Sequence, residues 1–238
     1  MCTVVIRVPE PGPGRVRLLA IRDEDPQRPW RPLGQWWPDH PEITGIQDEL
    51  AGGAWLAFNQ TRLSVLLNRA GGPAEGITPT TRGNLVIGSL TGEALPESLT
   101  TLGFNVVEAT FDGVQVTSWE GGEPRVVDLS PGTHMLAHSD VNDYDAPRIS
   151  HWLHRFADAP TEGVRWWTEW AKVLDAGSQE LEPTDDRALI RDNRAHGYPT
   201  LSLLAVAASI GPGGVTAEMG ELDEPGVWEP IAPLLTSV

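Results

Sequence analysis

The first twenty-one residues restrict how this chain can begin to fold. Residues 2–8 (CTVVIRV) and 15–21 (RVRLLAI) are both rich in Val, Ile and Leu, and PEPGPG at 9–14 separates them. β-Branched runs favour strands, and alternating Pro and Gly force a turn. The segment therefore predicts an antiparallel hairpin with Cys2, the chain's single cysteine, at its open end. Pairing Val8 with Arg15 sets Cys2 opposite Ile21, within one or two residues of Arg22 and Asp23, although a loop this long allows a slip of one or two positions. Neighbours on a strand face opposite sides, so Arg22 and Asp23 do not both face Cys2. Asp23 is read as the inward one.

Downstream, residues 25–41 hold five prolines and three tryptophans, which excludes a regular helix or a central strand and predicts a stiffened loop that could wall a site. Strands are expected at 54–58 and 62–67, a loop over 71–82, a short helix at 83–91, and strands at 104–110, 114–119 and 124–129. Apolar positions at helical spacing mark 147–157 and 162–175 as helices. Thr184 or Asp185 is placed to cap a further short helix ending before Arg191. Residues 200–210 and 213–219 read as a closing hairpin. Strands first, helices later and strands again predict a layered α+β fold in a single domain, 1–238.

The formal net charge of −16 argues against a nucleic-acid partner, whose phosphates require a positive field, and against an anionic membrane surface. It favours a cationic or neutral substrate, although overall charge does not fix the charge of a pocket. With one cysteine, neither an internal disulfide nor a Cys-rich metal site can form. His151 and His154 could share a helix face, but no matched acidic ligand accompanies them, so no metal is expected. The N-terminus lacks a secretory pattern and no apolar stretch is long enough to span a bilayer, so the expectation is a cytoplasmic protein. The Gly, Pro, Arg and Asp usage fits a bacterium of high GC content. Ten tryptophans against two tyrosines and four phenylalanines supply either core filler or the wall of an apolar ligand pocket.

Several short motifs stand in a definite order: Met1-Cys2-Thr3; Ile21-Arg22-Asp23-Glu24 followed by Arg28-Pro29-Trp30; Gly52-Gly53-Ala54-Trp55-Leu56-Ala57; Leu67-Asn68-Arg69-Ala70-Gly71; Arg82-Gly83; Phe104-Asn105-Val106-Val107; Gly132-Thr133-His134; and Asn142-Asp143. Over roughly residues 2–148 this order resembles the NRDE family, which includes transport and Golgi organisation protein 2. The last ninety residues match it loosely. The family in turn is similar to the cysteine branch of the N-terminal-nucleophile (Ntn) hydrolases, such as penicillin V acylase and bile salt hydrolase. The resemblance implies an Ntn-hydrolase-like four-layer αββα sandwich. It also implies that Cys2, exposed by removal of Met1, is the nucleophile, with Asp23 holding the new amine and Asn68 near the oxyanion. Arg22, Trp55, Asn105, His134 and His138 are the expected substrate-binding residues.

The chemistry suits these residue types. A thiolate is the attacking form of cysteine, and a freed α-amine can take its proton. Backbone and amide donors at Asn68 would stabilise the developing oxyanion. Set against this, a cysteine on a buried strand also serves as a small apolar residue, and Arg22 to Asp25 also reads as a solvated charge run. Three departures from the family pattern stand out. Ile21 replaces the Asn of Asn-Arg-Asp-Glu. Leu136-Ala137-His138 replaces Leu-Thr-Asn or Leu-Ser-Asn. Ala20 stands where the acylases carry an arginine. Two functions follow: amide-bond hydrolysis or acyl transfer at Cys2 on a small molecule of amide or acyl character, without a cofactor; or non-catalytic binding and trafficking of haem, lipid or acyl-CoA.

Overall fold

The computed structural model describes residues 2–229 and the backbone of 236–237. Met1, whose removal the resemblance implies, lies outside them. The expected N-terminal hairpin is formed by β1 (Thr3–Val8) and β2 (Val16–Glu24). Its register is Thr3 opposite Ile21 and Arg7 opposite Arg17, one residue away from the Val8–Arg15 pairing. The connection, residues 9–15, is too long to fix the pairing, and that single step exchanges the two faces of β2 relative to β1.

The chain continues with β3 (Trp30–Gly34), β4 (Thr44–Asp48), β5 (Ala54–Phe58), β6 (Arg62–Asn68), α1 (Gly83–Thr91), β7 (Phe104–Thr110), β8 (Val114–Trp119), β9 (Arg125–Asp128) and β10 (Gly132–Leu136). Two helices follow, α2 (Pro147–Asp158) and α3 (Thr168–Glu180), then β11 (Leu201–Gly211), β12 (Gly214–Glu221) and β13 (Thr236–Ser237). The strands form two antiparallel sheets, in the orders β10-β1-β2-β11-β12-β13 and β3-β4-β5-β6-β7-β8-β9. The protein is thus α+β, with few helices. Among the described residues no helix is long and apolar enough to cross a membrane.

Three apolar clusters hold these parts together. The largest joins alternate residues of β1 and β2 (Val4, Ile6, Leu18, Ala20) to Leu56, Val65 and Val107 of the second sheet. The opposite face of the first sheet (Val5, Leu19, Ile21, Ala205) packs on α2 and α3. The second sheet's outer face (Ala54, Ala57, Leu66, Val106) packs on α1 through Val86 and Leu90. The tryptophan question divides by place. Trp152, Trp166, Trp167 and Trp170 fill the helix–sheet core, with Trp170 and Trp152 donating their indole N–H groups to the carbonyls of Phe156 (3.0 Å) and Arg187 (2.6 Å).

Three local expectations need correction. The Pro-rich stretch contains β3, though only as an edge strand, where the ladder slips between Arg31 and Gly34 around the missing N–H of Pro32. Helix α3 starts at Thr168 because Gly163 sits in the left-handed region (φ 81°) and breaks the run. No helix forms between Thr184 and Arg191, and among the described residues only a single 3-10 turn, Arg194–His196, comes after: the Asp185 carboxylate accepts hydrogen bonds from the Arg187 backbone N–H (2.8 Å) and guanidinium (2.9 Å), closing a turn in place of a helical start.

Candidate active site

The open end of the β1–β2 hairpin faces the ends of β5 and β6 across the seam between the sheets. A cleft of about 370 Å³ lies there, and Cys2, Arg22, Asp23, Trp55 and Asn68 all contribute to its wall. Larger hollows of about 500 and 520 Å³ lie around the 58–62 and 210–215 turns; their walls contain no cysteine or histidine.

Cys2 belongs to the cluster between the sheets, with Val4 and Ile6, and is 7 % exposed. Its sulfur accepts the Asp23 backbone N–H at 3.4 Å and lies 3.7 Å from the Asp23 carbonyl oxygen. Burial pushes the thiol's pKa up, the negative charge of Asp23 adds to this, and Arg22 works against it. The sulfur is therefore a protonated thiol at neutral pH unless a neighbouring base removes its proton.

The observed register reverses the expected facing of β2. Arg22 continues the Leu18–Ala20 side and so shares the face of Cys2. Asp23 pairs with Ser202 of β11, and its carboxylate accepts the Ser202 hydroxyl at 2.5 Å on the helix side of the sheet. Arg148 of α2, which donates to the Thr3 hydroxyl (2.5 Å), feels the Asp23 charge, and burial brings its own pKa down to about 10. Asp23 thus reaches the cleft with its backbone while its carboxylate sits behind the strand.

Arg22 is 2 % exposed and its guanidinium lies over two indoles, 5.6 Å from the ring centre of Trp30 and 5.9 Å from that of Trp55. Glu24 stands 3.7 Å from its Nη2. Arg28 pairs with Asp48 at 2.7 Å. Asn68 ends β6 in an exposed position on the opposite wall. Helix α1 opens onto the cleft with Arg82 at its N-cap, no side-chain cap and no acidic residue in its first turn. Its start is pressed against β5: a Cβ on Gly53 would lie 2.4 Å from the Gly83 carbonyl carbon. Arg82 and Arg28 were not anticipated as site residues. Arg82 carries a readable signal, because a cation at a helix N-terminus opposes the dipole and calls for another reason to be there.

Three expected binding residues lie away from this wall. Asn105 is fully buried on β7 and donates to the Ser139 carbonyl at 2.9 Å. Both ring nitrogens of His134 are engaged, by the Ser130 carbonyl (2.8 Å) and the Asn142 side-chain amide (2.9 Å), which makes the ring a brace for the turn after β10. His138 lines a separate cavity of about 190 Å³ with Arg148 and Arg191, and partial burial followed by the charge of Arg148 lowers its pKa.

A search of the curated proteins finds no match. The stretch 1–182 fits the family model described as Transport and Golgi organisation 2, past the end of the resembling motifs and through both helices. That span is well over half of the chain, and the protein belongs to this family.

Proposed function

We propose that the protein is a cysteine-type amide-bond hydrolase or acyltransferase of the Ntn kind, with Cys2 as nucleophile once Met1 has been removed. The observation that carries this reading is the position of Cys2, at the head of a central strand and on the wall of a cleft bordered by guanidinium groups. Helix-side clusters on the outer face of each sheet, with a third cluster between them, support an Ntn-like four-layer αββα sandwich.

The freed α-amine of Cys2 takes the thiol proton, and the thiolate adds to the substrate carbonyl carbon. Asn68 donates to the resulting oxyanion. Collapse breaks the C–N bond, and the α-ammonium returns its proton to the departing amine. Water, or an amine acceptor in the transferase case, then displaces the thioester and restores the thiol. Asp23 orients the α-amine from behind the strand, Arg22 offsets the charge of the thiolate, and Trp55 supplies an apolar wall for the acyl chain.

The test is turnover of acyl-amide and acyl-thioester substrates, with intact mass following acylation. Both Cys2→Ala and Cys2→Ser should lose turnover, and wild-type protein should gain one acyl mass. Turnover that survives Cys2→Ala removes the reading. The burial of Cys2 within the apolar cluster between the sheets favours a second reading, in which the residue is a small apolar part of the cleft wall and the protein is a non-catalytic carrier of an acyl-CoA, lipid or haem ligand. Stoichiometric binding of such a ligand without any acylation would select it.

A further inference from the structure

Two buried donors on the cleft wall lack a partner. The Nη1 of Arg22 and the indole N–H of Trp55 have no hydrogen-bond partner among the described residues, although the two side chains are 2 % and 6 % exposed. Both side chains line the same cleft, with the guanidinium 5.9 Å from the Trp55 ring centre. Buried polar groups are almost always paired, and an unpaired donor at a cleft surface calls for an acceptor. Neither residue can accept a hydrogen bond, so a group that meets them must itself be rich in acceptors.

The surrounding charge specifies the group further. Arg82 and Arg22 are both within electrostatic reach of the Cys2 sulfur. The uncapped N-terminus of α1 adds a partial positive charge at the same wall. Of the carboxylates present, Asp48 is held by Arg28, Glu24 stands 3.7 Å from Arg22, and Asp23 is turned towards Ser202. The three arginines of the cleft wall are thus matched in number by three carboxylates, but with Asp48 engaged and Asp23 turned away, Arg22 and Arg82 are the charges left to meet a ligand, in a chain whose formal net charge is −16.

Resting on the reaction proposed above, we infer that the substrates are acyl compounds bearing a compact anionic group, a carboxylate or a phosphate, gripped by Arg22 and the Trp55 indole N–H a few atoms from the carbonyl that Cys2 attacks. This reverses the expectation of a cationic or neutral substrate drawn from overall charge, because the two donors act at contact distance and the remaining charges are screened.

Calorimetric titration of the full chain with glutarate, with inorganic phosphate and with neutral glutaramide tests this without requiring turnover. Glutarate or phosphate should bind at least about tenfold more tightly than glutaramide and slow iodoacetamide alkylation of Cys2. Whichever anion is preferred identifies the group. Arg22→Gln should erase the preference and Arg22→Lys should retain part of it, with circular dichroism checking the fold. Arg82→Gln, at a less buried position, should weaken the same anion. Binding of both anions no tighter than that of glutaramide, or no binding of either anion, overturns the inference. Failure of the Cys2 reaction is read separately, from absent acylation by a neutral acyl thioester.

Discussion

At the residue scale the chemistry turns on one sulfur and two charges of opposite sign. Burial and Asp23 raise the Cys2 thiol, and Arg22 pulls it down. With Met1 in place, alkylation of Cys2 by iodoacetamide should keep rising with pH beyond about 8.5, where a free thiol is half ionised. Replacing Asp23 with Asn removes a negative charge while leaving an acceptor for Ser202, so the pH–rate curve should move to lower pH. A wild-type midpoint below that of a free thiol would contradict this account. The hairpin placed Cys2 near Arg22 and Asp23 from the sequence alone, whereas Trp55 and Asn68, which line the same cleft, were expected there only through the family resemblance. Which of Arg22 and Asp23 faces the thiol was not legible. That depends on a hairpin register that a long Pro-Gly turn leaves open, and a slip of one residue inverts it. His134 misled for another reason: a histidine in sequence does not reveal whether its ring nitrogens are already satisfied by a turn, and nothing in the sequence shows that His138 lines a separate cavity.

At the element scale the cleft depends on the start of α1 meeting β5 backbone to backbone at Gly53 and Gly83. Gly53→Ala should push the helix start outward and cost about 1–3 kcal/mol in denaturant unfolding, with weaker ligand binding alongside. Unchanged stability would mean the two backbones can separate freely. Helix α1 and most of the strands could be read from apolar spacing and turn residues. Strands β4 and β10, with sequences TGIQD and GTHML, are too short and mixed to show alternation. The false helix after Thr184 arose because a capping side chain and a turn-closing side chain look alike until Asp185 is seen to take the N–H of Arg187.

At the scale of the whole molecule, the family match ends at 182 but the first sheet does not. Strand β11 lies beside β2 along almost its full length and contributes Ser202, the hydroxyl that holds Asp23. A chain ending at 182 would leave β2 as a long apolar edge, so it should aggregate or fail to elute as a discrete species in size-exclusion chromatography. A well-folded 1–182 product would show that β11 and β12 are dispensable. The position of Cys2 has one more consequence. The residue sits in the apolar cluster shared by the two sheets and also on the wall of the cleft. A small electrophile can reach the sulfur through the cleft, whereas a bulky one must wait for the sheets to part. The ratio of the two modification rates then measures how often the sandwich breathes, with the protein's own thiol as the gauge.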